Sequence, residues 1–159
     1  MQVLISDANI LIDLEEGLLI DKIFELPFVF KIPDVLFHEE LSEQHNHLIA
    51  LGLQLGELTG ESLIKVFALI EQYPQPSRND CLALALAKQE NCPLITGDRN
   101  LRKAAETEQV QVYGTLWIIE HLVQHDIINK PQAHSAYDRM EQYGRRLPWA
   151  EAHLRINNL

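Results

Sequence analysis

The chain has 159 residues, 47% of them hydrophobic and 23% charged, which predicts an ordinary globular protein with one full-sized core. Its formal net charge of −10 argues against binding nucleic acid through a broad basic field. Such a partner would need a local basic patch, a metal ion or another subunit. No apolar run approaches the roughly 18 residues of a membrane span. We expect no signal peptide, and the two cysteines favour a reducing cytoplasm over a disulfide framework.

The chain begins with a predicted strand that delivers an acidic residue to its carboxyl end. Gln2–Ser6 is a short, branched apolar run, Asp7 follows it, and a helix is predicted from Ile10. Asp7 suits two roles. It would cap the helix, because Asp is favoured just before one, or it would belong to a site, because open parallel sheets bind ligands beyond the carboxyl ends of their strands.

The second unit repeats this order. Residues 18–26 look helical, Phe28–Ile32 is the second predicted strand, and Pro33 starts a helix. At about 100° per residue, Glu40 projects close to the mean apolar direction of that helix and Glu39 nearly opposite. We therefore expect Glu40 to face the protein and Glu39 to face solvent. The residues expected to define the buried side are Val35, Leu36, Phe37 and Leu41.

The middle of the chain predicts a short strand at 53–58 and then an amphipathic helix. Thr59 offers helix-start chemistry. The expected buried face of this helix is Leu63, Val66, Phe67 and Ile70. Tyr73–Pro76 then breaks the pattern.

The stretch from Ser77 to Asn100 is the most informative. Asp80 opens a run that is apolar on every side, which predicts a buried helix with an acid anchored at its start. After a turn, a short strand at 93–96 ends just before Asp98. A helix, a turn, a strand and an acid form half of an α/β unit.

The rest of the chain predicts a helix at 101–108, a strand at 110–113, and helices at 115–125, 130–144 and 148–157. The order of these elements predicts an α/β fold: a central parallel sheet covered on both faces, with right-handed crossovers.

Four acids occupy comparable places in this scheme: Asp7, Glu40, Asp80 and Asp98. Carboxylates that converge repel one another and raise one another's pKa, so the group persists most easily when divalent cations neutralise it. Hard oxygen ligands suit Mg²⁺ or Mn²⁺, which bind phosphate oxygens and activate water. The chemistry that follows is metal-assisted hydrolysis of phosphodiesters.

Four motifs resemble those of the PIN-domain family. They read D-A-N-I-L after the first strand, E-E-L around Glu40, N-D-C-L-A-L-A-L-A-K from Asn79, and P-L-I-T-G-D-R-N-L from Pro93. The resemblance covers residues 3 to about 115, and T-G-D-R-N-L with its spacing from Asp80 is its most specific part. The helical tail resembles the extension found in a branch of bacterial and archaeal PIN proteins.

The resemblance implies a Rossmann-like three-layer α/β/α sandwich with Mg²⁺- or Mn²⁺-dependent ribonuclease activity on RNA. It also implies that the chain is the toxin of a toxin–antitoxin pair, as in VapC-like relatives, with an antitoxin protein as partner, and that it forms a homodimer. We expect a PIN-like domain at 1–125 and a helical C-terminal extension at 126–159 packed on the same domain.

The same resemblance assigns site roles by position. The metal-binding and catalytic acids would be Asp7, Glu40, Asp80 and Asp98, with Asn9 and Thr96 as polar support, one orienting a carboxylate and the other bonding a ligand or water. Asn79 should face elsewhere on its helix. Four cations near the cleft would either contact phosphates or form a solvated helix face: Arg78, Arg99, Arg102 and Lys103. No basic arm or aromatic stacking platform is evident, and Trp117 is expected to be a core residue.

Two other interpretations remain. A non-catalytic module would keep the fold and use the acids to bind nucleic acid or protein. A Mg²⁺-dependent phosphoryl-transfer domain would also place an acid after the first strand, but a dehalogenase-type enzyme needs a second acid where this chain has Asn9.

Overall fold

The computed structural model describes residues 1–159 as one central sheet surrounded by helices. Five parallel strands pair in the order β3-β2-β1-β4-β5. Their bounds are β1 Gln2–Ser6, β2 Phe28–Pro33, β3 Gln54–Gly56, β4 Leu94–Ile95 and β5 Val112–Tyr113. The predicted α/β class, with its three layers and all-parallel sheet, is confirmed.

Ten helices connect and follow the strands, at the bounds α1 Ala8–Glu16, α2 Ile20–Ile23, α3 Asp34–Glu40, α4 His47–Leu51, α5 Gly60–Gln72, α6 Arg78–Glu90, α7 Arg99–Thr107, α8 Thr115–Gln124, α9 Lys130–Gln142 and α10 Trp149–Asn157. None of them is both long enough and apolar enough to cross a membrane.

The strand order reverses between β1 and β4, and the crevice of the fold lies at this point of reversal. The chain builds β2 and β3 on one side of β1, then returns through α5 and α6 to add β4 on the other. Ile5 and Ser6 lie beside Leu94 and Ile95 in register. In open parallel sheets, ligands bind outside the carboxyl ends of the strands at such a switch point. The segments that leave this point begin at Asp7 and Thr96.

Both faces of the sheet are apolar, because helices cover them and exclude water. Leu4 and Ile5 point to opposite faces of β1, and both are fully buried. Helix α6 contacts β1, β2 and β4, and its residues from Cys81 to Ala87 are all buried. The prediction of a core helix starting at Asp80 is confirmed. The contacts of α6 with these strands place its first turn at the edge of the sheet.

The C-terminal helices share the same core. α9 packs against α1 and α8, and α10 packs against α8 and α9. Tyr137 and Met140 are fully buried, and the Met140 side chain closes over Gly17 at the end of α1. A side chain at Gly17 would meet Met140. The tail therefore touches the helix that starts at Asp7.

Two local predictions are wrong. In α5 the buried residues are Ser62, Val66 and Leu69, whereas Ile64 and Phe67 are each 72% exposed. Small and aliphatic residues of α5 pack against α6, so the buried face of the helix is rotated relative to the predicted face. The remaining expected face, Leu63 and Ile70, is also exposed. The helix predicted at 18–26 shrinks to α2, because turns flank it on both sides.

Candidate active site

Asp7 is both a helix cap and the most buried of the candidate acids. Its side chain is 4% exposed, and Oδ1 accepts a hydrogen bond from Ile10 N at 3.0 Å, capping α1. Its own backbone N–H donates to Ile95 O at 3.1 Å, which ties it to β4. Burial raises the pKa of Asp7 to about 6, and the nearby charges of Asp80 and Asp13 act in the same direction.

Thr96 joins the two loops that meet at the switch point. It is fully buried, and its hydroxyl donates to Asp7 Oδ2 while accepting from Asp98 N at 3.1 Å. The hydrogen bond to the charged carboxylate lowers the pKa of Asp7 and so opposes part of the effect of burial. One side chain thus fixes the Asp7 carboxylate and the start of the Asp98 loop together.

Asp80 lies in the first turn of α6 and forms a capping box with Ser77. Ser77 Oγ accepts from Asp80 N at 3.1 Å, and Asp80 Oδ2 accepts from Ser77 N at 3.0 Å. Oδ1 accepts no hydrogen bond within the protein. Burial raises the pKa of Asp80, and the charge of Asp98 raises it further. The charge of Asp80 acts on Asp7 and that of Asp98 acts on Asp80, so these three acids form one electrostatic group.

Asp98 begins α7 in the same way that Asp7 begins α1. Its Oδ1 accepts from Leu101 N at 2.8 Å, and Oδ2 has no partner within the protein. Three of the four candidate acids therefore sit at the start of a helix, where the helix dipole favours negative charge. The capping role expected as an alternative for Asp7 is present, and it leaves carboxylate oxygens available.

Glu40 reaches this edge from α3 and is the outlying member. The expectation that Glu40 faces the protein is wrong, because its side chain is exposed and its Oε2 accepts a hydrogen bond from Asn79 Nδ2 at 2.7 Å. Asn79, expected to face elsewhere on its helix, instead donates a hydrogen bond to Glu40. Glu39 is exposed, as expected, and its carboxylate accepts hydrogen bonds from the Arg78 guanidinium, which lowers the pKa of that carboxyl. Of the apolar residues expected to define the buried side of α3, Val35 is 41% exposed.

The four candidate acids differ from the acids around them in having no ion pair. None of the ion pairs in the structure includes Asp7, Glu40, Asp80 or Asp98. By contrast Asp13, which lies further along α1, pairs with Arg145 at 2.6 Å. Negative charge at the edge of the sheet is therefore uncompensated by the protein's own cations.

Asn9 belongs to the network around Asp13. Arg145 Nη2 donates to Asn9 Oδ1 at 3.1 Å, and Thr115 Oγ1 donates to Asp13 Oδ2 at 3.0 Å. Asn9 does not contact a candidate carboxylate, so of the two expected support residues only Thr96 does. Sequence reasoning missed the buried acid Asp13, although an Asp inside the apolar run of α1 is a signal that a cation must approach from elsewhere.

Four of the 13 lysines and arginines make neither an ion pair nor a hydrogen bond, and they are Arg99, Arg102, Lys103 and Arg146. Three of them lie in the first turns of α7, directly after Asp98. Arg146 comes from the α9–α10 loop and was not expected. Arg78 is engaged with Glu39 instead. The free cations therefore border the uncompensated acids.

The donor set suits a divalent cation by its chemistry. All candidate ligands are carboxylate oxygens, which Mg²⁺ and Mn²⁺ prefer, and the raised pKa of Asp7 and of Asp80 marks charge that a cation would stabilise. As the side chains stand, no three His, Cys, Asp or Glu residues converge as a formed metal cage. Glu40 is the outlying ligand candidate, because its side chain is exposed and hydrogen-bonded to Asn79.

A family model for the PIN domain matches residues 3–157, almost the whole chain. The match includes the helical tail, beyond residue 115 where the motifs end. PIN domains are generally nucleases and typically use divalent metals. No curated protein matches the chain.

Proposed function

Because the chain belongs to the PIN-domain family, we propose that it is a divalent-metal-dependent endoribonuclease whose site is formed by Asp7, Glu40, Asp80 and Asp98. The observation that carries the proposal is the absence of any ion pair to these four acids, while Glu39 and Asp13 beside them are each paired with an arginine. A protein that needed the acids only for capping would gain from pairing them as well.

The chain's residues would divide the work. Asp7, Asp80 and Asp98 would hold Mg²⁺ or Mn²⁺, with Glu40 joining them by rotation of its exposed side chain away from Asn79. When bound, the cation would supply the positive charge that activates water and stabilises the leaving oxygen. Thr96 would keep the Asp7 carboxylate in one orientation. Arg99 and Arg102 would bind RNA phosphates next to the acids.

The proposal is tested by cleavage of a mixed RNA pool with Mg²⁺ or Mn²⁺, in the presence and absence of EDTA, alongside a Mn²⁺ titration of wild type and Asp7→Asn. We expect cleavage that EDTA abolishes, and weaker Mn²⁺ binding and cleavage in the variant. Unchanged metal affinity and cleavage in Asp7→Asn would contradict the site assignment.

The alternative is a PIN-fold module that binds nucleic acid or protein without cleaving it. It would be favoured if several RNAs survive both metals intact. The phosphoryl-transfer alternative keeps the objection drawn from the sequence, because the position of a dehalogenase-type general acid is occupied by Asn9, whose side chain is engaged with Arg145.

The narrower form of the proposal, a cytoplasmic toxin held by an antitoxin protein, rests on the family resemblance and on two free cysteines, Cys81 and Cys92. A small antitoxin gene beside this one would support it. Growth arrest on expression of the wild type, relieved by Asp80→Asn, is the matching cellular result. Arrest that persists with Asp80→Asn would contradict a toxin role for the nuclease site.

We also propose a homodimer. The exposed apolar face of α5, which includes Ile64 and Phe67, is consistent with a second copy as its occupant, since contiguous exposed apolar patches mark interaction sites. Light scattering of wild type and Phe67→Ser tests this. We expect a dimer that the variant dissociates; a monomeric wild type would contradict it.

A further inference from the structure

A cleft of about 400 Å³ adjoins the carboxylate edge on the side of β5. Its lining includes Thr96 and Gly97, the residues that lead from β4 to Asp98. A second cleft shares Gly97 and Arg146 with it and is bordered by Asp98 itself. The volume lies within the range of pockets that hold small ligands, roughly 300–1,000 Å³. The cleft thus continues from the proposed site.

Two free arginines line this cleft. Arg102 is half-buried, and its Nη2 lies 3.8 Å from the point that a Cβ at Gly114 would occupy. Arg146 enters from the wall that the tail provides. Neither has a carboxylate or carbonyl partner in the protein, whereas Arg155 in the same cleft is held by Glu120 at 2.9 and 2.8 Å. Two guanidinium groups without partners in an acidic protein are suited to bind phosphate.

The position of Arg146 is fixed by its neighbours. Gly144, at φ +85°, ends α9 in a left-handed conformation, and Arg145 N donates back to Met140 O at 2.9 Å. The Arg145 side chain then binds Asp13 and Asn9 on α1. Arg145 is therefore a positioning residue, and the buried Asp13 has the role of fixing the loop that carries Arg146.

The same cleft contains the end of an aromatic stack. Tyr113 and Trp117 are parallel, with ring centroids 4.1 Å apart and an interplanar angle of 11°. His121 covers the next position at 3.9 Å from Trp117. Tyr113 is half-buried and has no further aromatic neighbour, so it ends the stack at the cleft. Trp117, expected to be a core residue, supports this ring from behind.

The geometry points to a nucleotide subsite for single-stranded RNA in this cleft, with Arg102 and Arg146 on a phosphate and Tyr113 stacking a base. The inference rests on the proposed function, because it places the nucleotide next to the carboxylates that would cut the chain. A base must leave a duplex to stack on an aromatic ring, which favours a single strand over a double helix.

The test measures RNA binding without metal, so that it does not depend on cleavage. Anisotropy of a labelled single-stranded RNA oligonucleotide is followed in EDTA over a range of salt concentrations, for wild type, Arg102→Gln, Arg146→Gln and Tyr113→Leu. Lys65→Gln is the control, because it removes the same charge from a lysine paired with Glu61 on α5.

We expect each arginine variant to bind RNA about tenfold more weakly, as for removal of a hydrogen bond to a charged group. The slope of log K against log salt should fall by about 0.7 for each phosphate that the variant no longer binds. Tyr113→Leu should weaken binding at least about fivefold with an unchanged slope, since it removes stacking and no charge. Lys65→Gln should resemble the wild type.

Several outcomes would overturn the subsite: no RNA binding by the wild type, variants that match Lys65→Gln, or duplex RNA bound as tightly as the single strand. Failure of the proposed function looks different. A chain that binds RNA through Arg102 and Arg146 in EDTA but never cleaves it with Mn²⁺ keeps the subsite and loses the nuclease. Cleavage that survives both arginine substitutions with unchanged affinity keeps the nuclease and loses the subsite.

Discussion

The acids of this protein fall into two regions that the chain treats differently. On the side of the helical tail, Asp13 binds Arg145, and Glu120 binds Arg155 with both carboxylate oxygens. At the carboxyl edge of the sheet, Asp7 is as buried as either of them and has no cation. In the first region an arginine provides a counter-charge for each carboxylate, although burial still raises the pKa of Asp13 above its usual value.

The difference supports the proposed site at the edge of the sheet. A buried charge without a partner costs free energy, so it persists where something outside the chain provides the compensation. At Asp7 the cost appears as a pKa of about 6. At Glu120 an arginine offsets it. The two regions should therefore respond in opposite ways to substitution and to metal.

The largest effect is expected at the uncompensated edge. Asp80→Asn should reduce Mn²⁺-dependent RNA cleavage by at least about a hundredfold, because the variant lacks a ligand and even outer-shell partners of metals cost about 10–100-fold. Rates are measured with labelled RNA at saturating Mn²⁺. Glu39→Gln, which removes an acid already paired with Arg78, is the matched control and should retain activity. Equal losses of cleavage activity in both variants would contradict the proposed difference between paired and unpaired acids.

The compensated region should show the reverse. Arg155→Met leaves Glu120 buried without its partner and should lower the free energy of unfolding by about 2 kcal/mol, less than for a fully buried pair because Arg155 is partly exposed. Urea denaturation in EDTA measures this. Mn²⁺ affinity should stay the same. If Arg155→Met were as stable as the wild type but bound Mn²⁺ more weakly, the metal would lie near the tail and not at the four candidate acids.

Metal binding should depend on pH through Asp7. Its carboxyl must lose a proton to bind a cation, so Mn²⁺ affinity should be flat above about pH 6.5 and fall about tenfold per unit below the pKa of about 6. Calorimetric titrations between about pH 5 and pH 8 give the profile. In an unperturbed carboxyl the fall would begin near about pH 4, so an affinity that stays flat down to about pH 5 would contradict a metal ligand with a raised pKa at this position.

The smallest effect is expected at Thr96. Thr96→Val keeps the volume but removes the hydroxyl that donates to Asp7, so the pKa of Asp7 should rise and Mn²⁺ affinity should fall severalfold to about tenfold. Thr115→Val is a matched control, since Thr115 is also buried and donates to the paired acid Asp13 at 3.0 Å. Both variants should lose some stability. Only the first should lose metal affinity.

Much of the fold followed from the sequence, because the signals were local. The all-apolar run after Asp80, the branched strand before Asp7 and the T-G-D-R-N-L segment each specify their own element. Leu36 and Phe37 of α3 and its C-cap Leu41 are buried as expected, but the rotation of α5 and the outward direction of Glu40 depend on packing against α6, and a single periodic pattern does not contain that information.

The same contrast between local and long-range information applies to the candidate site. The acids could be named because each follows a strand or lies near the end of a helix. The partners of the charged groups could not: Arg145 reaches Asp13 from 132 positions along the chain, and Arg78 turns to Glu39. For the same reason Arg146 was missed, although Arg102 was among the expected phosphate contacts, since the two walls of their cleft come together only through the tail. We propose that the tail is accordingly part of the site, beyond its expected role as an extension.

The most direct test of uncompensated charge at the edge of the sheet is the unfolding free energy of Asp7→Asn against wild type, with EDTA and with Mn²⁺. The folded-state pKa of about 6 exceeds the usual 3.8, so the penalty for ionising Asp7 is fully present above about pH 6 and absent below about pH 4. At about pH 7.5 in EDTA the variant should be more stable by on the order of 1–3 kcal/mol, and this gain should vanish at about pH 4. Excess Mn²⁺ should stabilise the wild type alone and reverse the order. A variant that is less stable in EDTA, together with a wild type indifferent to Mn²⁺, would contradict the account.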